Sequence, residues 1–266
     1  MRKMRKAGLF GALTLIVALA VGSMSFAGEA TQNGVTQSAD LEVSPTKLPK
    51  KKTKKVDPKD VTLNVSVGIR DPDALNKVPS ANKVELDFDK DLTFNTKKIP
   101  TCDENVIATL NNAQAKDECK KAVVGQGTAA ATCSGSEDPP DIPGIKVNAF
   151  NGEPQGKNPV LLLHTDANLG GNSTITILPG VLTKAGKPFG KTLNVTVPPL
   201  AGGACSIVDF ETTVGKGEIN KKYSNYVAGT CKDKKINLEG RFFFNSNPQG
   251  VSQLDPTDEI PCKQKK

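Results

Sequence analysis

The chain has 266 residues, with 35 Lys and Arg against 28 Asp and Glu, a formal charge of +7, six Cys, two Tyr and no Trp. That length can bury a sizeable core and allows one large β-domain or two small ones. The missing Trp weighs against an aromatic platform for carbohydrate, and the lack of aromatic residues among the lysines weighs against a nucleic-acid surface that stacks bases.

Met1 to Ala27 reads as an export signal. MRKMRK forms a positive n-region, Ala7 to Met24 is apolar, and Ser25 and Ala27 place small residues at the −3 and −1 positions, so cleavage is expected after Ala27. An uncleaved anchor is the alternative, because the apolar run sits near the lower limit of ~18 residues for a bilayer span. Gly22 and the small residues behind it favour cleavage, which leaves no transmembrane span. Arg2, Lys3, Arg5 and Lys6 lie in the signal, so the remainder holds 31 basic and 28 acidic residues. Export also sets how the cysteines are read, since an oxidising compartment turns six of them into three disulfides.

Residues 28–60 are rich in Thr, Ser, Lys and Pro and carry no aromatic side chain, a composition expected of a disordered basic linker. Seven lysines fall here, five of them Lys50, Lys51, Lys52, Lys54 and Lys55. They could adhere to an anionic cell-surface polymer, or merely keep a spacer solvated. From Val61 onward the charges nearly balance, at 24 basic to 23 acidic.

At Val61 the pattern turns to period two. Val61, Leu63, Val65, Val67 and Ile69 share one face of a half-buried strand, and similar alternation recurs at Val84/Leu86/Phe88, Ile145/Val147/Ala149, Ile175/Ile177, Leu193/Val195/Val197, Val208/Phe210/Thr212/Val214 and Ile236/Leu238/Gly240/Phe242/Phe244. The unbroken run from Val160 to Leu163 reads as a strand covered on both faces, and Val123 to Thr132 as one containing glycines. One short helix interrupts the series: Asn111 or Asn112 can cap AQAKDECKKA, whose Ala115, Cys119 and Ala122 share a face. TLNVSV at 62–67 and TLNVTV at 192–197 echo each other, as alternating β-branched hexamers do by chance. About ten strands and one helix predict an antiparallel β-sandwich over residues 61–266, as one body or two sub-domains, with the helix across one end.

Six cysteines allow about fifteen connectivities. A hairpin joining 205–214 to 219–229 would bring Cys205 opposite Cys231, Cys102 to Cys119 would tie a loop to the helix, and Cys133 with Cys262 follows by elimination. Zinc is not expected, because no CxxC or paired Cys/His spacing occurs and the single histidine stands alone.

That histidine, His164, precedes Thr165 and Asp166 and is a candidate general base, although no nucleophile elbow accompanies it. A packed histidine near a strand end is the plainer reading. Asp87, Asp89, Asp91 and Asn95 begin with calcium-loop spacing, but Leu92 stands where glycine is needed and Lys98 where the closing glutamate belongs. Solvated carboxylates on an outer strand face account for them.

Several segments together resemble a family of exported actinobacterial β-rich proteins with no assigned activity: SPTKLPKKKTKK leading into VTLNVSV, LDFDKDLTFNTKKIPTC, AQAKDECKKAVVGQG, VNAFNGEPQGKNPVLLLH and TLNVTVPPLAGGACSIVDFETTV. The resemblance spans about Ser44 to Phe244. It implies export, a bacterial source and the Cys102 to Cys119 pairing, and it supplies no catalytic, cofactor or ligand residue. Cys133 and Cys262 are not part of the shared pattern. The expectation is therefore an exported, non-catalytic binding or structural module. Its rivals are a secreted hydrolase using His164 and a protein retained at the surface through Lys47 to Lys59.

Overall fold

The computed structural model describes residues 28–50, 57–72, 78–133, 140–169, 172–215 and 226–265. The expected export signal lies outside them. Among the described residues the first strands are β1 (Gly28–Gln32), β2 (Val35–Ser44), β3 (Lys47–Pro49), β4 (Lys59–Asp60), β5 (Thr62–Arg70), β6 (Ala81–Asp89) and β7 (Leu92–Phe94). Two short helices follow, α1 (Glu104–Ile107) and α2 (Asn112–Glu118). Then come β8 (Val123–Thr132), β9 (Ile142–Gln155), β10 (Asn158–Leu169), β11 (Asn172–Lys184), β12 (Phe189–Thr196), β13 (Ser206–Gly215), β14 (Val227–Gly229), β15 (Lys235–Phe244), β16 (Gln253–Leu254), β17 (Thr257–Pro261) and β18 (Lys263–Lys265).

Thirteen strands join in one antiparallel sheet, ordered β1-β2-β5-β13-β8-β9-β10-β11-β12-β6-β15-β16, with β17 also on β15. The mainly β, antiparallel, disulfide-tied architecture expected from the sequence is present. Division into the two facing sheets of a sandwich is not. Instead the sheet is continuous and curls until its first strands meet its last, giving a nearly barrel-shaped body. Leu41 of β2 donates its backbone N–H to Asp258 Oδ2 of β17 at 2.8 Å, and Asn33 Nδ2 donates to Gln249 O at 2.9 Å. Gly28 packs so close to β17 that a Cβ there would lie 1.8 Å from Thr257 O. Register shifts in β8/β9, β9/β10, β6/β12, β8/β13 and β6/β15 supply the bends that such curvature needs.

The alternation read from the sequence sets what faces inward. Leu63, Val65, Val67, Leu86, Phe88, Leu161, Leu163, Leu193, Val195, Val208 and Val214 belong to one interior cluster. On β5, β6 and β15 the opposite faces carry Asn64, Ser66, Glu85 and Arg241, so these strands are apolar inside and polar outside. Among the described residues, no helix is long and apolar enough to cross a membrane.

One end of the body is plugged by the small sheet β4-β14-β7 and by the parallel pair β3/β18. Cys231–Cys262 clamps this end, where Cys231 N donates to Pro49 O. At the other end Cys133–Cys205 joins the end of β8 to the start of β13, and Ser206 Oγ donates to Val78 O. A second, smaller core sits on the outer face of β9 and β10. There Ile107 and Ala115 from the helices cover Phe150, Val160 and Leu162, and Cys102–Cys119 fastens the cover. Asn111 caps α2 through a capping box with Gln114.

Three expectations are corrected. Residues 28–50 and 57–60 are not linker: β2 buries Val35, Gln37, Ala39, Leu41 and Val43 in strict alternation against β5, where main-chain pairing replaces the aromatic bulk the segment lacks. The helix lies on the outer face of the sheet, with α1 beside it, rather than across an end. Cys102–Cys119 forms as expected, but Cys205 pairs with Cys133, and Cys231 with Cys262. The cause is strand order. β13 pairs with β5 and β8, and register places Ser206 opposite Thr132, so Cys133 and Cys205 face each other with Cα atoms 4.0 Å apart.

Candidate functional site

The interior is not filled completely. An apolar cavity of about 130 Å³ remains inside the curled sheet, lined by side chains from β2, β5, β6, β7, β10, β11, β12, β13 and β15. Alternation along each strand delivers them: Leu63, Val65, Val67 and Ile69 from β5, Leu161 and Leu163 from β10, Val208, Phe210, Thr212 and Val214 from β13. Toward the plugged end the wall turns aromatic. Phe94 stands edge-on to Phe88 at 5.3 Å and to Tyr226 at 6.1 Å between ring centroids. Tyr226 is held there by its backbone, whose carbonyl accepts from Asn95 N. Toward the other end the lining includes Ser80, Ala81, Ile207 and Asp209, all partly exposed, and Arg70 bridges to Asp209 at 2.9 Å.

Two groups in this lining are polar and unpaired. Tyr226 is 0% exposed and Thr212 6%, and among the described residues neither the phenol oxygen nor Thr212 Oγ1 has a hydrogen-bond partner. Burial alone pushes the Tyr226 phenol well above its ordinary pKa, so the group stays a neutral hydroxyl able to donate and accept. Gln37, also in the lining, is different, for its Nε2 donates to Gly68 O at 2.8 Å. A mostly apolar cavity with a few polar side chains in its lining has the make-up of a small-molecule site. A larger open depression of about 1290 Å³ lies on the outer face of β8, β9 and β13, bordered by Lys116, Lys146, Asn148, Asp166 and Glu211, and none of the unpaired buried groups lines it.

His164 lies elsewhere, facing outward on β10 beneath α2. It is 0% exposed, its Nδ1 is 2.9 Å from Asn112 Oδ1, its Nε2 is 2.9 Å from Leu110 O, and its ring stands edge-on to Phe150. A hydrolase needs an open imidazole beside a nucleophile, and this one has both nitrogens engaged and no route to solvent. Its visible work is to dock the helices onto the sheet.

The carboxylates read as solvated are buried and used. Asp87 accepts from Arg241 Nη1 at 2.7 Å and from Thr192 Oγ1; Asp89 accepts from Asn237 and from the Asp91 backbone; Asp91 accepts from Lys232 N. Glu85, beside them, is held below the usual carboxylate range, chiefly by Lys83 and then by Arg241. Among the described residues no cluster of three or more His, Cys, Asp and Glu is placed to hold a metal.

Of the linker lysines, Lys50 is exposed near the plugged end, while Lys51, Lys52, Lys54 and Lys55 lie outside the described residues. Tyr226 and Thr212 escaped the sequence reading. The signal for Thr212 was present, as a hydroxyl on the inward face of the otherwise apolar Val208/Phe210/Val214 stripe. No family model, no curated protein and no solved structure matches the chain.

Proposed function

We propose that this is an exported, non-catalytic binding protein whose curled sheet receives a small apolar ligand in its interior. The observation that carries the reading is the apolar cavity of about 130 Å³ inside the curled sheet. Protein interiors rarely leave such space, and a dry cavity of roughly 150 Å³ is large enough to take up benzene. Three disulfides support export, since they persist in oxidising compartments. Toluene at about a hundredfold above its dissociation constant should stabilise the protein by about 2.7 kcal/mol, seen as a raised melting temperature. Leu163→Phe, which fills the void, should abolish that shift. A folded wild type that gains nothing from toluene, and shows no binding heat, overturns the reading.

A second reading, surface retention by charge, draws on the plugged end. Lys47 pairs in register with Lys263 and Pro49 with Lys265, while Lys59, Lys232 and Lys234 sit on the adjoining turns and strand. These lysines are exposed and, among the described residues, none of the six is in an ion pair. An anionic polymer would bind such a face with strong salt dependence. Washing intact cells in high salt should release the protein, and release indifferent to ionic strength removes this reading.

A further inference from the structure

Like charges set side by side repel, and a cross-strand pair of them weakens a ladder. The plugged end is built against that rule. β3 and β18 pair in parallel with Lys47 opposite Lys263, and two positions on, Lys265 stands on the same exposed side of β18. The bend before β15 adds two more lysines, since Gln264 Nε2 donates to Lys232 O at 2.7 Å and Cys262 N donates to Lys234 O at 2.9 Å. Lys234 takes a φ of 65°, a left-handed conformation better suited to glycine. All five lysines are exposed, and among the described residues none of them is in an ion pair. Asp233, the one acid in residues 231–234, turns instead to Lys90 at 3.4 Å. What holds this lysine ledge together is covalent: Cys231 precedes Lys232, Cys262 precedes Lys263, and the two cysteines are joined.

We infer that this ledge is the docking site of an extended polyanionic chain, which lies along β18 and neutralises Lys47, Lys232, Lys234, Lys263 and Lys265 together. The inference rests on the surface-retention reading and names its partner and contact residues. Lysine is a compact point charge and the ledge holds no arginine, so it reads charge density and not the planar shape of one acid group. A single small anion would offset one lysine and leave the others opposed. A chain supplies many charges on one backbone and gains further from the counterions released when it binds. An anionic bilayer fits less well: among the described residues the exposed large apolar side chain is Val106, on α1, so the ledge has no apolar anchor to enter a lipid layer.

Long-chain inorganic polyphosphate is the probe. Titrated into the disulfide-bonded protein at low salt, it should bind with an affinity that falls steeply as salt rises, while monomeric phosphate at the same phosphate concentration should not bind. Lys263→Gln with Lys265→Gln should weaken polyphosphate about tenfold and flatten the salt slope by about two. With no polyanion present, the same double variant should melt above wild type at low salt, because it removes the repulsion, and added polyphosphate should raise wild type more than the variant. No polyphosphate binding by the folded wild type overturns the inference. So does binding that ignores Lys263 and Lys265 but is lost when Lys51, Lys52, Lys54 and Lys55 are changed to Gln. Binding to phosphatidylglycerol vesicles without binding to polyphosphate overturns it in favour of a membrane. Protein that stays on cells in high salt yet binds polyphosphate through the ledge removes the retention reading alone, whereas salt-released protein that ignores polyphosphate removes the inference alone.

Discussion

A hydroxyl sealed in an apolar core costs about 1–3 kcal/mol when nothing pairs with it. At Tyr226 that cost should be visible in the ligand-free protein, because its oxygen has no partner among the described residues and its ring is fully buried. Tyr226→Phe keeps the ring, its edge contact with Phe94 and the volume of the site. The variant should therefore be more stable than wild type by about 1 kcal/mol, seen as a higher urea midpoint at unchanged slope. A hydrogen-bonded core tyrosine gives the opposite sign, and a lowered midpoint would mean that the phenol has a partner in solution, such as an enclosed water. His164 marks the contrast. Its two ring nitrogens contact Asn112 and Leu110, so its polarity is used in joining α2 to β10.

Elements whose residues alternate strongly were legible. β5, β12, β13 and β15 follow the period-two stripes, β10 is covered on both faces as its unbroken apolar run implies, and α2 starts at the Asn111 cap. The echo between 62–67 and 192–197 acquires a physical cause. Each strand sends Leu and two Val inward, while Asn64 bonds Thr213 and Asn194 bonds Thr183 on neighbouring strands. β2 was hidden because Gln37 and Ala39 occupy inward positions where bulky residues are expected, and its stability comes from ladder bonds to β5. The disulfides depended on which strands become neighbours over long separations, and local spacing carries no such information. Asp87, Asp89 and Asp91 looked solvated because their neutralising partners, Arg241, Asn237 and Lys232 N–H, come from more than a hundred residues away. The cavity itself was illegible, since a void is set by how facing walls pack, although Thr212 on an apolar stripe pointed toward it.

A sheet that curls onto itself removes exposed edges, yet here the join is made without a full ladder. β1 pairs with β2 only from Val35 to Ala39, and beyond that point β2 meets β17, where the Asp258 carboxylate accepts Leu41 N–H at 2.8 Å and its other oxygen accepts Glu259 N. Asp258→Ala leaves the Leu41 amide buried and unpaired, which should cost about 1–3 kcal/mol. Hydrogen exchange should speed up most at Leu41 and Val43, because the seam opens locally before the interior does. The effect should also depend on pH, with a definite sign. Burial, reinforced by Asp40, raises the Asp258 pKa above its ordinary 3.8, against the downward pull of the two amides. A carboxyl with a raised folded pKa is least favourable when ionised, so its contribution is complete below 3.8 and declines as pH rises through the folded value. The gap in urea midpoint between wild type and Asp258→Ala should therefore widen as pH falls from neutral toward 3.8. A gap that narrows over that range would mean the carboxylate binds the seam better charged than protonated, and the closure would then be an electrostatic lock rather than a buried hydrogen bond.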